Sequence, residues 1–122
     1  MLRGGVVTVY VSDMDRSVRF YQEVLGFKLN ERHGNHWASL DGGPGLTIGL
    51  HPATREVPAG QSGSIALGVY VDGGIQDAVR TLTERGVRFA GPVIQDKALS
   101  LAFFSDPDGN PLYLAEMKPA YR

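Results

Sequence analysis

The stretch Val7 to Phe27, VTVYVSDMDRSVRFYQEVLGF, places a strand, a helix and a helix stop in immediate succession. Valines occupy every second position at its start, which is the period of a strand with one face in a core. Asp13 or Asp15 can cap the following helix, and Gly26 supplies the left-handed residue that ends it. The predicted buried stripe of this helix is Met14, Val18, Tyr21, Val24 and Leu25. The stretch therefore predicts a strand, helix, strand unit.

Composition limits the classes of protein to which the chain can belong. A length of 122 residues with 43% apolar residues is typical of a compact globular protein. The formal net charge is -1 and Lys and Arg are scattered, so we expect no nucleic-acid partner and no membrane partner. The absence of Cys excludes disulfides, a thiol nucleophile and a thiolate metal site. No apolar run approaches the roughly 20 residues that span a bilayer, and we expect a cytoplasmic protein.

Three antiparallel strands are predicted after Phe27, at 28–32, 36–40 and 46–51, with glycine-rich turns between them. The segment 52–63, PATREVPAGQSG, is rich in Pro, Gly and small residues and has no apolar period. This composition predicts a linker loop.

The first pattern returns beyond this loop, about 60 residues after its first occurrence. Apolar residues alternate from Ile65 to Val71, and a helical stripe then ends at Gly86. That stripe is Ile75, Ala78, Val79 and Leu82. Strands are predicted at 87–90, 99–105 and 112–116, and DPDGN, residues 106–110, forms a tight turn between the last two.

The repeat predicts an α+β fold in which two βαβββ modules form curled mixed sheets around a shared, partly polar cavity. The modules are expected at 5–51 and 64–117, joined by the loop at 52–63, within a single domain that covers 1–122.

Two segments resemble a known superfamily. VTVYVSDMDRSVRFYQEVLGF is similar to the opening of a vicinal oxygen chelate module, and FFSDPDGNPLYLAE, residues 103–116, is similar to the strand, turn and strand that end one. This superfamily includes glyoxalase I, extradiol dioxygenases and bleomycin resistance proteins, and the resemblance covers nearly the whole chain. It implies the glyoxalase/bleomycin resistance fold, a pocket between the sheets and a homodimer.

The resemblance also identifies four positions at which catalytic members of the superfamily hold a divalent metal with His, Glu or Gln. In this chain they are Val6, Gly49, Ser64 and Tyr113. Valine and glycine have no donor atom, serine alone is a poor ligand, and a neutral phenol with a pKa of about 10 does not replace a carboxylate. A metal site of the family type is therefore not supported, and we expect no metal and no cofactor.

Strand parity indicates which side chains face the predicted cavity. Tyr10 and Tyr113 alternate with aliphatic residues that face the helices, and Trp37 lies one position out of phase with its apolar neighbours. The parity also fits a core Trp37, and it fits His51 either at the cavity rim or as a solvated strand end. The candidate ligand-binding residues are Tyr10, Trp37, His51, Ser64 and Tyr113.

Other residues are given structural interpretations. Glu116 is expected on the helix side of its strand or past its end, and Asp106 and Asp108 are expected to form the turn. Gly73 and Gly74 lack the rest of a phosphate-binding motif, and no Ser stands in a GxSxG setting. These segments predict neither a nucleotide site nor a hydrolase triad.

The predicted function is that of a metal-free binding protein, similar to bleomycin resistance proteins, which sequesters a small aromatic or amphipathic molecule. The near-neutral net charge argues against capture of bleomycin itself. One alternative is a lyase, isomerase or dioxygenase that uses displaced ligands such as His51 with His36, or acid-base catalysis by Tyr113. Another is a structural dimer with a vestigial cavity.

Overall fold

The computed structural model describes Met1, residues 3–61 and residues 64–119. The chain forms two compact units. The first, unit 1, is Met1–Ser62 with Pro107–Asn110, and the second, unit 2, is Gly63–Asp106 with Pro111–Arg122. Each unit is built on a four-stranded mixed sheet. None of the helices formed by the described residues is long and apolar enough to cross a membrane.

Unit 1 has the predicted βαβββ order. Its elements are β1 (Val7–Val11), α1 (Met14–Arg19), which continues as a π-helical segment (Phe20–Val24), β2 (Lys28–His33), β3 (Trp37–Asp41) and β4 (Thr47–Pro52). The strands lie in the order β1-β4-β3-β2. β1 is parallel to β4, and the other pairs are antiparallel.

The first helix begins at a side-chain cap. Oδ1 of Asp13, not of Asp15, accepts a hydrogen bond of 3.0 Å from the backbone amide of Arg16. The last five residues adopt π-helical hydrogen bonding, which changes the angular spacing of the side chains. As a result Tyr21 is fully buried, whereas the predicted core residues Val24 and Leu25 are only half-buried. Gly26 ends the helix at φ +82°, as predicted.

The core of unit 1 lies between its sheet and this helix. Alternate residues of β1, β3 and β4 are buried there: Val9, Val11, Ala38, Leu40, Ile48 and Leu50. Val7 was predicted to share this face but is 40% exposed, because it stands at the end of the edge strand β1.

Ser17 is a polar residue within this core. It is fully buried, and its hydroxyl has no hydrogen-bond partner among the described residues. Because a buried hydroxyl without a partner retains its desolvation cost, we expect Ser17→Ala to raise the free energy of unfolding by about 1 kcal/mol. Urea denaturation monitored by circular dichroism measures the change.

Ser12→Ala is the matched control, since the Ser12 hydroxyl donates to the carboxylate of Asp108. We expect this variant to lower the free energy of unfolding by about 1 kcal/mol. A loss of stability in Ser17→Ala equal to that in Ser12→Ala would contradict the unsatisfied state of Ser17.

Unit 2 has a similar plan. Its elements are β5 (Leu67–Tyr70), α2 (Ile75–Glu84), β6 (Ile94–Gln95), β7 (Leu99–Ser105) and β8 (Pro111–Met117). The strands lie in the order β5-β8-β7-β6, with β5 parallel to β8. The helix packs on one side of the sheet, and the buried residues between them are Ile75, Leu82, Ala102, Phe104, Leu112 and Leu114.

The strand predicted at 87–90 is displaced to β6. Val87 is buried and its amide donates to the carbonyl of Leu82, so this residue still belongs to the end of α2. Ala90 makes one backbone bond to Phe103, after which Gly91 and Pro92 interrupt the extended chain. Proline has no amide to donate to a sheet, and regular pairing begins only at Ile94.

Four residues of the turn between β7 and β8, Pro107–Asn110, belong to unit 1. The carboxylate of Asp108 accepts from the backbone amide of Ser12 at 3.1 Å and from the Ser12 hydroxyl, and it pairs with Arg16 at 3.4 Å. Asn110 accepts from the amide of Gly60 and donates to the carbonyl of Tyr10. Sequence patterns had placed this turn in the second module.

Candidate functional site

The open face of the unit 1 sheet, opposite α1, carries polar and aromatic side chains. The register pairs Thr8 with Gly49 and Tyr10 with His51, and it pairs Ser39 with Gly49 from the other side. Because side chains alternate along a strand, these residues point away from the buried core. The open face therefore has the composition of a binding surface rather than of a second core.

Trp37 covers Gly49 on this face. A Cβ built at position 49 would lie 2.7 and 2.9 Å from Cζ2 and Cζ3 of the indole and closer still to Cη2. Real side chains do not approach so closely, so the indole occupies the place that a side chain at 49 would need. The structure puts Trp37 on the face that strand parity indicated, where its side chain stays half-buried. Its role in binding stays a prediction.

His51 and Tyr10 form a second aromatic contact on the same face. Their ring centroids are 5.1 Å apart at an interplanar angle of 49°. Nδ1 of His51 lies 2.8 Å from the carbonyl oxygen of Pro52. A carbonyl only accepts, so Nδ1 carries a hydrogen, and in the neutral tautomer of that kind Nε2 is an acceptor. This pair can stack on a ligand and accept a hydrogen bond from it.

The open face of unit 2 contains a cavity of about 380 Å³, which we call the apolar pocket. Its lining includes Leu99, Leu101, Phe103, Tyr113 and Met117. The rings of Phe103 and Tyr113 are cross-strand neighbours with centroids 5.6 Å apart. The pocket is within the size range of small-molecule sites and is lined by the residue types that such sites favour.

Tyr113 covers a glycine in the same way as Trp37 does. Gly68 is its direct partner on β5, and a Cβ at that position would lie 2.6 Å from Cε2 of the Tyr113 ring and closer still to Cζ and Oη. Each unit thus has one aromatic ring on its open face that lies over a glycine of the neighbouring strand. The missing side chain provides the space for the ring to lie close to the sheet.

Two of the four positions at which the resemblance implies metal ligands, Val6 and Ser64, lie outside the strands. Val6 precedes β1 and is 48% exposed. Ser64 was predicted on the fifth strand but lies in an exposed turn, because β5 begins only at Leu67. Ile65 was predicted to begin the alternating pattern of this strand, but it precedes β5 and its side chain is 64% exposed. Ser64 is therefore not positioned by a strand.

Potential metal-binding side chains are dispersed. Across residues 3–61 and 64–119 no three His, Asp or Glu side chains come together as a group that could hold a metal ion. His36 is exposed in the turn before β3, and the ring of His33 lies 3.4 Å from Glu31. His51 is committed at Nδ1 to a backbone carbonyl.

Two carboxylates of unit 2, those of Glu116 and Asp96, have structural partners. Oε1 of Glu116 accepts a 2.8 Å hydrogen bond from the amide of Ile75, so this side chain caps α2 from the helix side of β8. The amides of Leu99 and Ala98 bond to Asp96 and hold the pKa of its carboxyl below the ordinary value. Asp96 is an exposed turn residue, and the shift marks the turn rather than a reaction.

Phe103, Leu101 and Met117 were not among the candidate residues, although they line the apolar pocket with Tyr113. Antiparallel pairing of β7 with β8 places Phe103 directly opposite Tyr113. The parity of Tyr113 could have identified it, since cross-strand partners share a face.

Comparison with known proteins places these features in a family. The family model of the Glyoxalase/Bleomycin resistance protein/Dioxygenase superfamily matches residues 5–114. A lactoylglutathione lyase from Haemophilus influenzae is 34% identical over 119 residues, covering 88% of this chain and 87% of that protein.

The fold is similar to that of two solved structures from Streptomyces sp. CB03234. TnmS3, an antibiotic binding protein, has 29% identity and a TM-score of 0.81, with 97% of this chain and 98% of that chain covered. A glyoxalase/bleomycin resistance protein has 31% identity and a TM-score of 0.74, with 92% and 98% covered. The paired βαβββ units and the family match agree, and this chain belongs to the glyoxalase, bleomycin resistance protein and dioxygenase superfamily.

Proposed function

We propose that this protein binds a small aromatic or amphipathic molecule on its open faces and holds it without chemical turnover. The observation that carries the proposal is the glycine and aromatic pair in each unit, Trp37 over Gly49 and Tyr113 over Gly68. A ring that lies close to a sheet offers a flat apolar surface, which is suited to stacking. Phe103 enlarges that surface in unit 2.

The same pairs argue against the metal chemistry of the superfamily. Gly49 and Tyr113 stand at two of the positions where the resemblance implies metal ligands. Gly49 has no donor atom and the space beside it holds the indole of Trp37, while the ring of Tyr113 lies over Gly68. Val6 and Ser64 stand outside the strands. These residues do not fit a first-row divalent cation, which requires imidazole or carboxylate donors.

The similarity to TnmS3, which is an antibiotic binding protein, supports binding as the function. A natural product or drug-like molecule of aromatic character is the ligand class that fits the exposed rings. We further propose a cytoplasmic homodimer, which would cover apolar side chains such as Val7 and Ile65 that are exposed in the single chain.

Fluorescence of Trp37, the single Trp of the chain, tests the proposal. We expect at least one member of a panel of planar aromatic compounds to change the Trp37 emission on titration. Stacking adds about 0.5–1.5 kcal/mol to a ring pair, so Trp37→Ala should weaken that ligand by up to about tenfold in calorimetry.

Trp37→Phe is the control that keeps a ring over Gly49, and we expect it to retain most of the affinity. Treatment of the wild type with a chelator should leave the affinity unchanged. A panel without any effect on Trp37, or binding that disappears with chelator and returns with Ni²⁺ or Zn²⁺, would contradict the proposal.

A second candidate is a lyase, isomerase or dioxygenase that retains catalysis with a displaced or absent metal. It is favoured by the lactoylglutathione lyase from Haemophilus influenzae, which matches most of the chain. Assays of lactoylglutathione lyase activity with and without added Ni²⁺ or Zn²⁺ distinguish this candidate. Activity that depends on His51 or Tyr113 would favour it.

A further inference from the structure

A second cavity of about 660 Å³ lies at one end of the unit 2 sheet, and we call it the acidic pocket. It is lined where β5 ends and the chain turns into α2, beside the last residues of β8. The side chains that matter are Tyr70, Asp72, Glu116 and Met117. Tyr70 is 75% exposed, so its ring is available at the mouth of the pocket.

The charge of this pocket has one sign. Its lining includes two carboxylates, Asp72 and Glu116, and contains no Lys, Arg or His. Lys118 follows the lining residue Met117 in the sequence, but its Nζ donates to the carbonyl of Asp96. Glu116 is held in place by the amide of Ile75, which satisfies the start of α2 with an acceptor from the protein itself.

The acidic pocket and the apolar pocket adjoin each other. Tyr70, Ala115 and Met117 line both of them. The lining of the acidic pocket takes Ala115 and Met117 from the open face of β8 and Glu116 from its helix side, so this pocket lies at the end of the sheet where the two faces meet. A ligand that lies on Phe103 and Tyr113 can therefore extend past Tyr70 to this end. The two pockets together present an apolar surface at one end and carboxylates with a π face at the other.

We propose that the ligand of unit 2 is a cationic aromatic amphiphile, with its ring in the apolar pocket and an ammonium or guanidinium group in the acidic pocket. The inference rests on the proposed binding function and specifies its ligand class. A bound cation is stabilised by a carboxylate and by the face of an aromatic ring. Asp72 and Glu116 provide the carboxylates, and Tyr70 provides the ring. A net charge of -1 provides no long-range attraction for a cation, so the preference depends on these local contacts alone.

A pair of probes that differ only in charge tests the inference. 2-(1-Naphthyl)ethylammonium and 2-(1-naphthyl)ethanol have the same ring and linker, and their dissociation constants are measured by calorimetry at low salt. We expect the cation to bind the wild-type protein about tenfold more tightly than the alcohol, since partly exposed ion pairs and cation–π contacts each contribute modestly.

The double variant Asp72→Asn, Glu116→Gln should bind the two probes equally while its affinity for the alcohol is unchanged. Glutamine keeps an oxygen that can accept from Ile75, so the cap of α2 is preserved. Glu84→Gln changes a carboxylate at the exposed end of α2, outside the pocket, and should keep the tenfold preference.

The outcomes separate this inference from the proposed function. Equal binding of the two probes to the wild type, or a preference that survives in the double variant, overturns the cationic ligand and leaves aromatic binding intact. Failure of both probes to bind overturns both. A preference lost equally in Glu84→Gln would show a general effect of net charge and would also overturn the inference.

Discussion

Replacing Gly60 by alanine is expected to lower the free energy of unfolding by about 3 kcal/mol or more, because overpacking and a strained backbone each cost about 1–3 kcal/mol. Gly60 has φ +73°, a conformation that alanine adopts with strain. A Cβ there would lie 3.0 Å from the carbonyl carbon of Asp108 and closer still to its oxygen. The obstacle is backbone, which cannot turn aside as a side chain does.

Gly34→Ala is the matched control for this prediction. Gly34 also has a positive φ, +56°, but a Cβ there meets no atom within 4 Å. We expect its cost to be about 1 kcal/mol, the value for strain without a clash. Denaturation in urea gives both values, and equal losses in the two variants would refute the close approach of Gly60 to Asp108.

The contact of Gly60 with the turn shows what sequence patterns could not reveal. PATREVPAGQSG was predicted as a linker from its composition, yet the amide of Gly60 donates to Asn110, 50 residues away. DPDGN was correctly predicted as a turn, since Asp, Pro and Gly favour turns by local chemistry. The residues that contact this turn, such as Ser12 and Arg16, are brought to it by the tertiary fold. No local sequence pattern encodes these contacts.

Strand parity predicted the two sheets well because it depends on the pleat alone. Val9, Val11 and Leu40 are buried and Trp37 is on the opposite face, as alternation requires. Parity failed where the strand itself was absent, as for Ser64 before β5. It also gave no sign that a glycine on one strand makes room for a ring on the next, because that relation needs the register.

The second large effect is predicted for Gly49, over which the Trp37 ring of the candidate site lies. Gly49→Ala is expected to lower the free energy of unfolding by about 2 kcal/mol, the usual cost of inserting a group into an occupied space. The methyl would collide with the outer edge of the Trp37 indole, which must rotate away from the sheet. We therefore expect a red shift of the Trp37 emission and weaker binding of any ligand that stacks on it.

A double-mutant cycle separates this collision from an intrinsic cost of losing the glycine. In the background of Trp37→Ala, the change Gly49→Ala should cost less than about 0.5 kcal/mol, so the coupling between the two positions should be at least about 1 kcal/mol. Gly68→Ala, measured with and without Tyr113→Ala, should repeat the coupling in unit 2. Additive losses at both pairs would mean that the rings do not lie over their glycines. The binding proposal would then lose its main support, since the flat aromatic surfaces depend on that packing.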